Sequence, residues 1–513
     1  MPFFVFIPIF GFLKISMNYF IGIDIGTGSS KAVAVKTSGE VIHTTQVSYP
    51  TYNPELTYSE QAPELIWQAV VKCILRMVDH LKEKPGGVVF SSAMHSVIPV
   101  DLNGNALMNM ITWADNRSAL IAKALKNSEQ GEMIYAKTGT PIHAMAPLCK
   151  IKWLKENKPE LFKNTYKFIS IKEYIWFKFF GVFEVDYSIA SATGLFDIEK
   201  FEWNTDALNF CGITSQQLSQ PVEVTYSRKE LQSEIVKDFK TIENIPFLIG
   251  ASDGCLANLG SFAVTPGIAA LTIGTSGAIR VANTKPTVNF QAMTFNYLLT
   301  KDIFISGGPI NNGGVALKWY TEIFLQKTLN SDADYDALFR EMNVIKPGAE
   351  GLIFLPYLLG ERAPIWDSEA SGAFFGIRNF HTQAHFTRAV VEGISMALFS
   401  IAAAMESTGL LIEQIHVSGG FVESEEWLQI LADIFNKKIC LINAEDASAI
   451  GAAYLGFKAL DLIQDYNQLK PSHDATYNPQ KENHLVYKKA FAIYESLYKK
   501  LKPEMEDVIA LRM

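Results

Sequence analysis

Residues 19–36 read YFIGIDIGTGSSKAVAVK. Tyr19 to Gly26 is an apolar run ending in a turn, the pattern of a buried strand, and Lys31 to Lys36 is a second strand. Between them lies Asp24-Ile25-Gly26-Thr27-Gly28-Ser29-Ser30-Lys31. A carboxylate at the end of a buried strand is costly unless it is paired or meets a cation. Glycine lets a backbone approach phosphate closely, and successive N–H groups and hydroxyls can ring its oxygens, with Lys31 adding charge. The stretch is not GxxxxGK[ST] and no helix is predicted after it, so a P-loop is excluded. A plain hairpin with a polar turn satisfies the same residues.

Outward from this stretch, Thr37-Ser38-Gly39 is a turn and Glu40 to Gln46 a third strand, which predicts an antiparallel start. Pro63 suits the first turn of a helix, in which Leu65, Ile66, Ala69, Val70, Cys73, Ile74, Met77 and Leu81 recur at helical spacing. Gly86-Gly87 breaks the chain before a strand starting at Val88. The succession returns past the midpoint. Ile245 to Gly250 is a strand followed by Ala-Ser-Asp-Gly, and Gly267 to Ile273 is another, ending in the turn Gly274-Thr275-Ser276-Gly277 before Ala278 to Ala282. Two halves with strand, Gly/Thr/Ser turn and strand predict a two-lobed α/β protein. The expected division is an apolar extension over 1–16, a lobe over 17–250 and a lobe over 251–513. Residues 384–407 and 427–435 are strongly helical, and 447–460 is rich in small residues that suit close helix packing.

The whole chain has 513 residues, 48% hydrophobic and 19% charged, which excludes disorder and low complexity. A net charge of −8 makes nucleic acid a poor partner. The five cysteines (Cys73, Cys149, Cys211, Cys255, Cys440) form no CxxC, which argues for buried thiols in a reducing cytoplasm. The extension MPFFVFIPIFGFLKIS is too short and too broken by Pro2, Pro8 and Gly11 to span a bilayer, and its lysine follows the apolar run. It reads as an upstream start ahead of Met17 or a disordered tail, with a membrane-surface anchor as the lesser alternative. No other run approaches 18 uninterrupted apolar residues, so no membrane is expected.

Two Gly/Thr/Ser turns, one per lobe, would clamp a polyphosphate from both sides. Gly307 to Gly314 and Ser418-Gly419-Gly420 add further glycine-rich turns. Phosphoryl transfer to an alcohol needs a carboxylate to accept the hydroxyl proton and cations to offset phosphoryl charge. Asp253 suits the base and Asp24 a water-mediated Mg2+ site; alternatively, Asp253 caps the helix starting near Gly254. Met94, His95, Trp113, Asp115, Arg117 and the turn residue His143 suit a polyhydroxylated ligand: a flat ring covers C–H surfaces while polar groups meet hydroxyls or a carboxylate.

Taken together, these segments resemble the FGGY carbohydrate kinase family over nearly the whole chain from Met17. One family signature is matched by Met145, Pro147, Lys150, Trp153, Glu156 and Asn157. The second is matched by Gly372, Phe374, Gly376 and Ile377, then His385-Phe386 and Ala389 to Glu392. The resemblance implies the actin/hexokinase-like (ribonuclease H-like) fold with a central cleft, ATP and Mg2+ as cofactors, a cytoplasmic enzyme and a homodimer. It implies Asp253 as general base, Asp24 on the metal side, and Thr27, Gly28, Ser29 and Lys31 at phosphate. Gly274 and Thr275 match the second phosphate turn, and Gly314, Lys318, Gly420 and Ser424 match nucleotide-lining positions. Met94, His95, Trp113, Asp115 and Arg117 match the sugar side. Many relatives carry a polar residue, often Gln, after the base, whereas this chain has Gly254.

Within the family, 112–118, 138–148 and 355–366 are similar in wording to the members that phosphorylate gluconate. A sugar acid wants cationic partners, and Arg117, His95 and His143 are the expected ones, Arg117 as a bidentate fork; an internal Arg117–Asp115 pair is the other reading. Xylulose or another neutral sugar is the alternative substrate. A non-catalytic sugar- or ATP-binding scaffold would have lost Asp24 or Asp253, and both are present.

Overall fold

A computed structural model of the chain describes residues 19–329, 331–442, 445–469, 473–509 and 511. The extension 1–16 and Met17 lie outside them.

Strands β1 (Tyr19–Ile25), β2 (Ser29–Lys36) and β3 (Val41–Ser48) form an antiparallel meander. Helix α1 (Pro63–Leu81) then returns the chain, so that β4 (Val88–Ser92) lies parallel to β1. Pro63 opens α1, where a missing N–H costs nothing. Its stripe of Ile66, Val70, Cys73, Ile74 and Met77 is buried on the sheet. β5 (Phe247–Ser252) pairs parallel with β4, beyond a large insertion that carries α2 (Pro147–Asn157) and α3 (Ile171–Phe180). The sheet runs Ser227–Arg228, β5, β4, β1, β2, β3.

Helix α4 (Asp253–Gly260) leaves β5 directly. The second sheet comprises β6 (Gly267–Ile273), β7 (Gly277–Asn283), β8 (Phe295–Thr300), β9 (Ile303–Ile310), β10 (Ile412–Ser418), β11 (Lys438–Ile442) and β12 (His473–Tyr477). Its order is β8-β9-β7-β6-β10-β11-β12. The central run β9-β7-β6-β10-β11 repeats β3-β2-β1-β4-β5, with the same antiparallel and parallel pairings. Helices α5 (Gly314–Trp319), α6 (Gln383–Glu406), α7 (Glu425–Phe435) and α8 (Ala447–Ala459) belong to this half. Among the described residues α6 alone is long and apolar enough to cross a membrane, and 78% of its most apolar window is buried in the protein.

The two halves meet along α4 and α8, and α8 also lies on β1 and β4. The small residues of α8 permit this. A Cβ on Gly451 would come within 2.0 Å of the Leu256 carbonyl oxygen of α4. One core runs through the seam, from Phe20, Val33 and Val89 to Ala452 and Leu455. All five cysteines are free and buried.

Candidate active site

Between the sheets lies a cleft of ≈ 930 Å³, lined on the first side by Thr27, Met94, His95, Trp113 and Asp253, and on the second by Gly274, Ser276, Arg280, Tyr297, Arg362 and Gly420.

Asp253 reaches the cleft through a local device in β5. The pairing of β5 with β4 slips between Leu248 and Ala251, around Gly250 at φ +70°, where a Cβ would strike the Phe90 carbonyl oxygen at 1.7 Å. Such a bulge turns the strand end toward a new direction. Ser252, not Asp253, is the N-cap of α4 and accepts from the Cys255 N–H at 3.4 Å. Asp253 Oδ1 accepts the Gly254 N–H at 2.6 Å, while Oδ2 has no hydrogen-bond partner among the described residues. Behind the strand end, Lys172 of α3 donates to the Ala251 carbonyl at 2.9 Å and pairs with Asp186 at 2.8 Å. The Ser188 hydroxyl accepts the Ser252 N–H at 3.1 Å. Lys172, Asp186 and Ser188 were not among the expected residues, because nothing local in the sequence ties them to position 253. Burial, reinforced by the charge of Asp24, pushes the Asp253 carboxyl up to about 7.

Asp24, at the end of β1, accepts from Ser91 Oγ at 2.8 Å through Oδ1, and burial raises its pKa. Lys31 is engaged with Asp446 at the start of α8. In the first turn, Ser29 Oγ accepts from Gln46 Nε2 at 2.8 Å. In the second, the Gly314 and Val315 N–H groups at the start of α5 are bound to the carbonyls of Gly274 and Thr275 at 2.7 and 3.1 Å. Gly314 therefore braces the turn. The N–H groups of Thr27, Gly28, Thr275 and Ser276 have no partner among the described residues, so both turns present free donors. Lys318 stands on the exposed face of α5, 3.8 Å from Glu322. Ser424, expected to line the nucleotide, is buried, and its hydroxyl caps α7 by accepting the Trp427 N–H at 3.2 Å.

On the sugar side, Trp113 Nε1 donates to Thr27 Oγ1 at 2.8 Å, tying the ring to the first turn. His95 sits at φ +67°, a strained backbone for a residue with a Cβ. Its Nδ1 lies 2.8 Å from the Ala192 carbonyl and its Nε2 3.3 Å from the Tyr297 hydroxyl. A carbonyl only accepts, so Nδ1 carries the hydrogen and Nε2 accepts from the phenol. Lys150 of α2, a signature residue, donates to the carbonyls of His95 and Thr112 at 2.6 and 2.7 Å, clasping the two segments that carry His95 and Trp113.

The expected cationic partners are corrected by burial. Burial, with the neighbouring Lys150, drives His95 down to about 3, and burial beside Arg362 does the same to His143, so both rings are neutral. His143 lies outside the cleft lining, against Trp366 at a ring separation of 5.2 Å. Arg117 and Asp115 are buried together. The guanidinium grips both Asp115 oxygens at 2.8 Å and Glu60 at 2.7 Å, and lies 3.7 Å over the Tyr58 ring. The internal pair is the reading the structure bears out. Among the described residues, the cations that line the cleft are Arg280 and Arg362. Residues 355–366 had been noted for their wording, yet nothing in that stretch says which way Arg362 points.

The FGGY carbohydrate kinase N-terminal domain model matches residues 19–260 and the C-terminal domain model residues 269–460. The chain belongs to the FGGY family of carbohydrate kinases. It is an ATP-dependent sugar kinase with the two-lobed actin/hexokinase-like fold. A gluconokinase from Bacillus licheniformis is 39% identical over 501 residues, covering 96% of this chain and 98% of the relative. Two solved structures from Lactobacillus acidophilus superpose closely, each at 33% identity. A ligand-bound xylulose kinase has a TM-score of 0.91, covering 96% of this chain and 99% of its own, and a gluconate kinase has 0.90, covering 94% and 98%. In this FGGY kinase two of the signature residues hold neighbouring segments together. Lys150 clasps two loops, and buried Glu392 of α6 accepts from Arg388 at 2.7 Å, Tyr487 at 2.8 Å and the Gly348 N–H at 3.1 Å.

Proposed function

We propose that this FGGY kinase transfers the γ-phosphoryl group of ATP to the 6-hydroxyl of D-gluconate, with Asp253 as the general base. The observation that carries the mechanism is the Asp253 carboxyl, with one oxygen unpartnered, at the wall of a cleft flanked by two turns with free N–H donors. The gluconate assignment is supported by the 39% identity to a gluconokinase along the full chain.

In this reading Thr27, Gly28, Thr275 and Ser276 hold phosphate oxygens through backbone N–H groups, with Gly274 and Gly420 beside the nucleotide. The sugar lies against Met94, His95 and Trp113, with the hydroxyl at Asp253 Oδ2. The hydroxyl oxygen bonds to the γ-phosphorus, the bond to the β–γ bridging oxygen breaks, ADP leaves, and Asp253 accepts the hydroxyl proton. Asp24 fits the metal-side role. Its Oδ2 is not engaged by Ser91, and the repulsion between Asp24 and Asp253 is the kind a divalent cation relieves. Mg2+ would be held there by a carboxylate, waters and phosphates. When bound, Mg2+ would neutralise phosphate charge.

A substrate panel followed by ADP release tests both halves. Wild-type protein should prefer D-gluconate over D-xylulose, and Asp253→Asn should lower kcat by about 10²–10⁴-fold while ATP still binds. Preference for the neutral ketose would remove gluconate; full activity of Asp253→Asn would remove the base.

A further inference from the structure

Two guanidinium groups face the cleft, and neither forms a salt bridge among the described residues. They are placed differently. Arg280 of β7 sits beside Asp253, whose charge it feels. Its Nε lies 3.3 Å from where a Cβ on Gly254 would stand, and Met94 Cε lies 3.2 Å from the same point. Glycine after the base therefore leaves the room Arg280 takes, and the reacting end of the cleft has its cation there.

Arg362 has its guanidinium 5.6 Å from the Trp113 ring. One Nη donates to the Ile310 carbonyl at 2.9 Å. Its Nε is sealed from solvent and has no hydrogen-bond partner among the described residues. The neighbouring carboxylate of Glu361 forms no ion pair with it, because its oxygens accept the Asn311 N–H, Asn312 Nδ2 at 3.0 Å and the Arg362 N–H at 2.8 Å, though its charge still acts on the guanidinium. The two imidazoles near it, His95 and His143, are neutral and cannot compete for an anion. Burial, with Arg280 nearby, lowers Arg362 to about 10 in spite of Glu361.

We propose that Arg362 is the specificity-determining anchor for the carboxylate of a sugar-acid substrate, at the cleft wall beside the Trp113 ring. The proposal rests on the kinase reading above and deepens it. A planar fork with an unpartnered Nε matches a carboxylate edge, whereas a neutral ketose would leave the same donors desolvated and unpaired. One Nη is held on the Ile310 carbonyl, opposite Gly277 of the second turn, so an ATP phosphate is the other source of the anion, and the test separates the two.

The test compares D-gluconate with D-gluconamide, which differs only in the charge of its terminal group, in wild-type, Arg362→Gln and Arg362→Lys proteins. Wild-type kcat/KM should favour gluconate by about 10²-fold, as two charge-assisted hydrogen bonds predict. Arg362→Gln should bring that ratio to within about threefold of unity by losing gluconate alone, with KM for ATP and the melting temperature unchanged; Arg362→Lys should fall between. Equal loss on both sugars, a raised KM for ATP, or a ratio that survives Arg362→Gln would overturn the anchor and leave the gluconate assignment standing. Wild-type preference for a different aldonate would sink gluconate and keep the anchor, tested with that acid and its amide. A preference for xylulose would sink both.

Discussion

At the scale of single residues, chemistry here is set by what surrounds each charge. Asp253 is a carboxyl with an ordinary value of 3.8 that burial and Asp24 raise to about 7. Only the carboxylate accepts a proton, so kcat should rise with pH through a limb near 7 that Asp253→Asn removes. The same shift has a stability consequence. Between about pH 4 and 7 the unfolded chain releases a proton that the folded chain retains, so this group costs stability as pH rises through that window, and the cost persists above it. Asp253→Asn should therefore melt above wild type at pH 8 and level with it at pH 4; equal melting at both would show that the carboxyl is not desolvated. The candidate list drawn from the sequence held Asp253, Trp113 and His95, and each lines the cleft. It placed positive charge on Arg117, His95 and His143, because a sequence shows the residue type and not its dielectric surroundings. Arg280 and Arg362 escaped notice for the converse reason, since an arginine in a strand or loop is unremarkable until its lack of a partner is visible.

At the scale of elements, the β1–β2–β3 meander, α1 and α6 were legible to within a few residues because periodicity is a local property. The bulge at Gly250 was not legible, since it is defined by the Phe90 carbonyl of a neighbouring strand. The small-residue stretch at 447–460 predicted close packing without naming its partner, and that partner is α4, the helix that begins at Asp253. Gly451→Ala places a Cβ 2.0 Å from the Leu256 carbonyl, and backbone cannot yield as a side chain can. The variant should lower the free energy of unfolding by about 1–3 kcal/mol in a denaturant titration. An unchanged midpoint would mean that the seam tolerates separation and is not a fixed element of the fold.

At the scale of the whole molecule, two sheets of matching strand order face each other across one cleft, with α4 and α8 as the shared seam. The two Gly/Thr/Ser turns sit on opposite walls, so under the proposed mechanism a ligand bridging them draws the walls together, and excluding water keeps the γ-phosphoryl group for the sugar. Small-angle scattering should show a smaller radius of gyration with a non-hydrolysable ATP analogue and D-gluconate together than with either alone; identical curves would confine any closure to loops. The amino-acid sequence by itself determined the elements, the twin turns and the family, because hydrophobic spacing and turn chemistry act between near neighbours in the chain. Only the tertiary structure decided that Arg117 is committed to Asp115, that His95 and His143 are neutral, and that Arg362 forms no ion pair among the described residues. Desolvation and ion pairing depend on groups brought together from hundreds of residues apart.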